Sequence, residues 1–534
     1  MTKTLLVAGS NSGHQLGVGH DQDVRTLQQA LCRFDAGSQD DTSFPPAGYT
    51  VVDLSSGANH TLALLKRIQF GSKAADGDAI SEIWIAGTGA QGQLGPAHAS
   101  SESLPLPVFT RLDLKALVDG CVDLPSSERL EATVEPKRIV CGWNCSYVVI
   151  ALSRAGRSDS SKQEVLLSLG LHRDHTFGEL GSVIDPLSDV EDTGVHKVSF
   201  SKALIEADLD AQVGFQIVDV AAGLRHAVAA LSVETGANGQ RRIVVVGWGS
   251  ARHGQVGRIP DPATKRAGPT KRPGPAAAIV WEPQVIFNCS TSDPSSLRCR
   301  LRAGRDHSVV LLQGEGREED TGLICIGSNR QGQLLDAAIL RQQGTTLDAI
   351  LDVTCNWNST HLLIGKSEGE LAVVSCGSNS RGQFGDTTTV SSTAAHPLAS
   401  VDLSTIRQQA QSSSATPTDT DAAAVATTNL DPLQARPSLL KKLVSGSEHS
   451  LLLVRSPATG NGDKHQVWGW GWNEHGNLAQ GPHDEADRHR PTLLLDVTRS
   501  GTAQQPDGYE PLDIWAGFGT SFILAERLHN AQAS

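Results

Sequence analysis

The chain has 534 residues, 53 of them glycine, with one methionine, few aromatics and a formal net charge of −13 at pH 7. That acidic balance argues against the basic face that direct nucleic-acid binding needs, and no run of about 18 apolar residues is present to span a membrane. Nine cysteines, an odd number with no repeated pairing pattern, fit a reducing compartment.

Met1–Ser10 is too short and too soon interrupted by glycine for a secretory leader, and reads as a first strand. It runs into Gly9-Ser10-Asn11, the first of seven glycine-bracketed turns of the form Gly-x-(Asn)-x-x-Gly-Gln-(Leu)-Gly. The others begin at Gly87-Thr88-Gly89, Leu169-Gly170, Gly247-Trp248-Gly249, Gly327-Ser328-Asn329, Gly377-Ser378-Asn379 and Gly469-Trp470-Gly471. Several close alike, as in Gly92-Gln93-Leu94-Gly95 and Gly382-Gln383-Phe384-Gly385. A second element, Gly-x-x-His-Ser/Thr followed by an aliphatic run, alternates with the first. It reads Gly57-Ala58-Asn59-His60, Gly142-Trp143-Asn144-Cys145, Gly223-Leu224-Arg225-His226, Gly304-Arg305-Asp306-His307, Asn356-Trp357-Asn358-Ser359, Gly446-Ser447-Glu448-His449 and Gly517-Phe518-Gly519-Thr520. The runs behind these elements, such as Val309–Leu312 and Leu451–Val454, are short and branched, as buried strands are. A self-similar unit across the whole chain decides the architecture before any single residue does.

From each Gly-x-x-His element to the next Gly-x-Asn element is about 20–30 residues, whereas the reverse interval ranges from 29 (Gly327 to Asn356) to 69 (Gly377 to Gly446). Steady spacing marks strands paired in one antiparallel sheet, and variable spacing marks surface connections. The spacing therefore predicts an all-β, seven-bladed propeller over residues 1–534, a single ring. Six blades lie whole in the chain, and the seventh closes by pairing Gly517–Leu524 with Leu5–Gly9. Insertions are expected at 96–137 and 182–215, with some helical tendency, at 258–300, and at 407–437, the last largely disordered from its Ser/Thr/Ala-rich composition. Lys265, Arg266, Lys271 and Arg272 make a basic patch in 258–278, read as a solvated loop.

The chemistry expected of this ring is not catalytic. His60, His226, His307 and His449 share one repeat position, whereas a catalytic histidine has a unique environment; the four read as structural hydrogen-bond donors. Gly87-Thr88-Gly89-Ala90-Gln91-Gly92 imitates a dinucleotide fingerprint but lacks the strand–helix context that the fingerprint requires. Two thiols, Cys141 and Cys145, fall short of a zinc site, so neither metal nor cofactor is expected in this chain. What stands out is the set of copies that depart from the repeat: Trp143, Trp357, Trp470 and Trp472. Exposed on one face beside Asn144, Asn358, Glu474 and His475, these indoles would form an aromatic patch with a polar rim suited to a small partner. Alternatively they plug gaps between blades; the sequence leaves both open.

All fourteen elements resemble the regulator-of-chromosome-condensation repeat of seven-bladed propellers. The opening Gly9–Asp23 string, with the first blade at the chain start, the tryptophans at Trp143 and Trp357, and Trp470-Gly471-Trp472-Asn473-Glu474-His475-Gly476-Asn477 are similar to the fungal α-tubulin-suppressor (killer-toxin-insensitivity) branch. That resemblance implies a non-enzymatic scaffold in cytoplasm and nucleus that forms a heterodimer with the small CSL zinc-finger protein of diphthamide synthesis. It implies support for diphthamide synthesis on elongation factor two and, indirectly, for Elongator-dependent wobble-uridine modification of tRNA, with zinc or iron carried by the partner. The repeat family also implies an alternative, guanine-nucleotide exchange on a small GTPase.

Overall fold

The computed structural model describes residues 2–34, 40–67, 80–100, 102–121, 124, 132–154, 163–183, 192–235, 240–257, 278–291, 297–314, 322–342, 344–365, 371–386, 398–401, 403, 406, 440–455, 464–496 and 508–528. The expected disordered insertion 407–437 and the basic patch at 265–272 lie outside them.

The described strands make seven sheets, the blades of a propeller, antiparallel except where Leu31–Arg33 extends one of them in parallel beside Leu106–Arg111. Blade I holds Tyr49–Ser56, His60–Arg67, Ser81–Gly87 and Leu106–Arg111; blade II holds Ala132–Cys141, Ser146–Arg154, Gln163–Leu169 and Val195–Lys197. Blade III holds Phe215–Ala222, His226–Thr235, Gln240–Ser250 and Ile279–Thr291; blade IV holds Arg298–Ala303, His307–Gln313 and Gly322–Gly327. Blade V holds Ile350–Asn356, Ser359–Gly365, Leu371–Gly377 and Ala399–Ser400; blade VI holds Leu440–Ser445, His449–Arg455, His465–Gly471 and Arg488–Asp496. The first strands of successive blades touch one another in cyclic order, and that of the last blade touches that of blade I, so these strands line the axis of a closed ring.

Blade VII performs the closure. Tyr509–Gly517 and Thr520–Arg527 come from one end of the described chain, Lys3–Gly9 and Val24–Gln29 from the other. Lys3 to Gly9 pairs with Glu526 to Thr520 without a bulge, Leu5 opposite Leu524 and Val7 opposite Phe522. Leu5, Val7 and Phe522 are fully buried. Joining the two ends in one sheet leaves neither terminal strand as a free edge.

The second strand of each blade is covered on both faces by neighbouring blades, which is why it reads as a continuous apolar run and not as an alternation. Ala227 through Val233 along the second strand of blade III is buried throughout. The core is accordingly divided into clusters lying between blades: Leu62, Ile85, Val148 and Leu167 meet between blades I and II.

Fourth strands, and the start of one first strand, fall inside spans that the repeat spacing assigns to connectors. Leu106–Arg111 and the first residues of Ala132–Cys141 lie within 96–137, Val195–Lys197 within 182–215, and Ile279–Thr291 within 258–300. Short helices, Leu114–Gly120 and Ser201–Glu206, share the first two spans; Asp113 caps the former by accepting the Lys115 and Ala116 N–H groups. Among the described residues, no helix is long and apolar enough to cross a membrane.

Because second and third strands are antiparallel, His60 pairs with Gly87, His226 with Gly249 and His449 with Gly471. Every Gly-x-x-His turn therefore sits beside a Gly-x-Asn turn at the same end of the ring. All fourteen repeat elements converge on one face.

Candidate protein-docking site on the glycine-turn face

The repeat histidines build the seams beneath that face. His60 Nε2 lies 2.9 Å from Ser146 Oγ of the next blade, and Ser146 Oγ donates to the Gln93 carbonyl at 2.8 Å, back in the blade of His60. The same relay runs from His226 through Ser308 to Gln255, from His307 through Thr360 to Gln333, and from His449 through Ser521 to Asn477. Each hydroxyl spends its proton on a carbonyl, so it accepts from a histidine protonated at Nε2. Burial pushes the imidazoles down, His60 and His226 to about 3, His307 and His449 to about 4, and they stay neutral. The preceding glycine makes room: a Cβ on Gly57 would lie 2.2 Å from His60 Cε1 and 2.5 Å from the Gly142 carbonyl oxygen. The histidines are structural, as their repetition predicts.

Three seams lack the histidine. At VII/I, where Thr520 stands in its place, Thr61 Oγ1 still donates to the Gln15 carbonyl at 2.6 Å, and the other two recruit a tryptophan instead. At seam II/III, Cys145 replaces histidine and Ala227 replaces the hydroxyl residue; Trp248 Nε1 donates to the Glu179 carbonyl at 2.8 Å. At seam V/VI, Ser359 replaces histidine, and Trp470 Nε1 donates to the Gln383 carbonyl at 2.8 Å. The indole N–H thus satisfies the turn carbonyl that a serine or threonine satisfies elsewhere. Trp470 is fully buried. Its place in the predicted aromatic patch is corrected: it closes a seam and offers no surface.

Above the seams lie the residues that follow the first glycine of each Gly-x-x-His turn. Their backbones stitch adjacent blades, Ala58 N–H to Trp143 carbonyl at 2.9 Å, Arg305 to Trp357 at 2.9 Å and Trp357 to Ser447 at 2.7 Å. Their side chains converge on the axis. Trp143 and Trp357 have ring centroids 5.5 Å apart, and Phe518 lies 5.5 Å from the first and 6.1 Å from the second. All three are only partly buried. The Arg305 guanidinium stands 5.7 Å from the Trp357 ring. Phe518 is not singled out by the sequence reading, although it occupies the repeat position of Trp143 and Trp357; comparison of the seven copies at that position is the signal that finds it.

Trp472 stands apart from this triad, at the seam of blades VI and VII. Its indole borders Gly519, the neighbour of Phe518: a Cβ there would lie 3.4 Å from Trp472 Cζ3. Trp472 Nε1 donates to Glu474 Oε2 at 3.1 Å, and its ring meets His475 edge-on at 5.1 Å. His475 Nδ1 lies 2.7 Å from Asp23 Oδ2, joining the two blades. That hydrogen bond raises the His475 pKa. Burial pushes the Asp23 carboxyl up, but the contact with His475 and the Asn11 N–H more than offset it and leave it lowered. Asn144 and Asn358 serve through their backbones: the Asn144 carbonyl accepts from His175 Nε2 at 3.0 Å, and the Asn358 carbonyl accepts from the Ser378 N–H at 2.8 Å. The predicted set therefore divides three ways. Trp143 and Trp357 meet at the axis, Trp472, Glu474 and His475 form a neighbouring patch, and Trp470 is interior.

The fold is a closed seven-bladed propeller, and the proteins it is similar to include RCC1-repeat propellers. The similarity is at low identity. The chain is 24% identical over 497 residues to a secretion-regulating guanine nucleotide exchange factor of Mus musculus, covering 92% of this chain and 79% of that one. It is 24% identical over 533 residues to an RCC1 repeat-containing protein of Schizosaccharomyces pombe, covering 98% and 99%. Among solved structures, Prp20p of Saccharomyces cerevisiae, described with its binding to Gsp1p and histones, superposes with a TM-score of 0.56 at 15% identity over 99% of this chain and 92% of that one. Human WBSCR16 gives 0.54 at 15% identity over 99% and 100%. No protein-family model matches the chain.

Proposed function

We propose that this chain is a non-enzymatic propeller that binds a protein partner over its glycine-turn face, with the Trp143–Trp357–Phe518 cluster as the anchor. The observation that carries this is the partial exposure of three large aromatics together at the axis, where four other copies of the same position hold Ala58, Leu224, Arg305 and Ser447. Aromatic anchors ringed by polar and charged groups are the usual centre of a protein interface. Asp306, Glu448, Glu474 and His475 supply the rim.

The partner class that the named relatives favour is a small GTPase, with the propeller acting in nucleotide exchange. The net charge of −13 is unsuited to docking on nucleic acid in the course of that task. A second reading, the CSL zinc-finger protein of diphthamide synthesis, rests on the Trp470–Asn477 string. Within that string Trp472, Glu474 and His475 lie on the face and remain available to a partner.

One experiment separates the two. Immobilised full-length protein is used to capture partners from extract of its own organism, beside Trp143→Ala and Phe518→Ala variants. Purified candidates are then tested for release of labelled nucleotide. Capture of a GTPase with accelerated release supports exchange, and capture of the zinc-finger protein without any effect on release supports the second reading. Partner capture that is unchanged in both variants would overturn the axial anchor.

A further inference from the structure

We infer that His172, Asp192 and His196 form a binding site for a divalent transition-metal ion at the seam of blades I and II. The site is built on the connection between the third and fourth strands of blade II. His172 follows the strand Gln163–Leu169, Asp192 precedes the strand Val195–Lys197, and His196 lies within that strand. One ligand atom from each of the three residues lies within 4.8 Å of the others.

Two details point to an ion. His172 Nε2 faces the Ser182 carbonyl at 3.3 Å and the Ser182 hydroxyl at 3.2 Å, and in the tautomer with its proton at Nε2 the carbonyl accepts it. In that tautomer Nδ1 carries a lone pair; it is sealed from solvent and has no hydrogen-bond partner among the described residues. That lone pair faces the Asp192 carboxylate, with Nδ1 3.8 Å from Oδ2. Two acceptors opposed across a gap too long for a hydrogen bond repel unless a cation lies between them. Two ligands on one ion at about 2.0–2.2 Å each are separated by about 3.3–4 Å. His196 Nε2 to Asp192 Oδ1, at 3.3 Å, falls in the same range.

The supporting shell is in place. Asp192 accepts the His172 N–H at 2.7 Å and the Gly194 N–H at 3.0 Å, which orients both oxygens. His196 Nε2 also lies 3.0 Å from the Gly170 carbonyl; binding an ion through Nε2 uses the tautomer with the ring proton on Nδ1. Two imidazoles and a carboxylate suit zinc or a neighbouring first-row ion, with water completing the set. The ion would pin this connection onto blade I, where Leu171 N–H already donates to the Gln91 carbonyl at 2.8 Å. The sequence expectation of no metal weighed only the two thiols; imidazoles and a carboxylate on one connector were not counted.

Full-length protein stripped with chelator is titrated with Zn2+ by calorimetry at pH 7.5, and thermal melts are recorded with Zn2+ and with chelator. The expected result is one tight equivalent and a melting temperature raised by Zn2+. In His172→Gln, which keeps a donor toward Ser182, and in Asp192→Asn, that equivalent is lost while the chelated melting temperature stays near wild type. Co2+ substitution provides a readout independent of stability: absorption bands of a nitrogen/oxygen site, without thiolate charge transfer, that are absent in both variants. Binding of equal strength in wild type and both variants, or no binding by wild type, overturns the site.

Discussion

His60 of blade I and Ser146 of blade II meet at 2.9 Å, and Ser146 passes the bond back to Gln93 of blade I at 2.8 Å. One hydroxyl thereby ties a histidine and a turn of one blade to the strand of the next. Ser146→Ala leaves two buried groups, the His60 N–H and the Gln93 carbonyl, without this partner. An unsatisfied buried group costs about 1–3 kcal/mol, so Ser146→Ala is expected to be at least as damaging as His60→Ala. The double variant should cost less than the two together, because both act on one relay. Urea unfolding of the three variants measures this.

Acid should open the ring before it affects an ordinary β protein. His60, His226 and His361, the last buried in the strand Ser359–Gly365, are held at about 3, His307 and His449 at about 4, all below the unfolded value of 6.5. Their folded pKa is depressed, so the unfolded chain binds more protons between those limits. The stability is fully present above pH 6.5 and is lost as pH falls from 6.5 toward 4. Each histidine contributes up to about 1.4 kcal/mol per pH unit there. Melting temperature against pH should fall steeply below pH 6, and the fall should be shallower in a variant with one repeat histidine replaced by Gln.

Trp470→Phe is expected to cost more than Trp248→Phe, although both indoles are fully buried. The Glu179 carbonyl that Trp248 serves also accepts from the Tyr147 hydroxyl, whereas Trp470 Nε1 is the side-chain donor found on the Gln383 carbonyl. The difference expected is about 1–2 kcal/mol, one unsatisfied buried carbonyl. Equal melting temperatures for the two variants would show that the indoles act by packing alone.

Deleting residues 1–16 should abolish cooperative folding. The strand Lys3–Gly9 carries Leu5, Leu6 and Val7, all buried, and bridges Thr520–Arg527 to Val24–Gln29. Burying one such side chain stabilises by about 1.5–3 kcal/mol, and a whole domain holds only about 5–15 kcal/mol. Circular dichroism melts of the deleted and full chains check this; an unchanged melt would mean that closure contributes nothing.

Trp143→Ala and Trp470→Ala should part company. Trp143 is partly exposed at the axis, so its loss should weaken partner capture and shift the melting temperature little; Trp470 is sealed in a seam, so its loss should lower the melting temperature sharply. In the sequence both are tryptophans that replace a commoner residue in a glycine turn, and nothing local distinguishes an indole facing the axis from one facing a neighbouring blade. Phe518 was legible only by aligning the seven copies, since phenylalanine alone carries no signal. The cluster of His172, Asp192 and His196 was not legible, because a connector of variable length brings residues twenty and more positions apart together.

The sequence alone was enough for the ring, the number of blades and the pairing of Lys3–Gly9 with Thr520–Arg527. Those follow from a repeat whose apolar runs must be buried on both faces, and only neighbouring copies can cover them. The histidines were likewise readable as structural, because four equivalent positions must share one role. Which tryptophans seal seams and which meet at the axis was decided by tertiary structure. That choice depends on what the next blade offers: a hydroxyl where histidine is present, and an indole where cysteine or serine has replaced it. A seam is a contact between two repeats, and its chemistry is set by both at once.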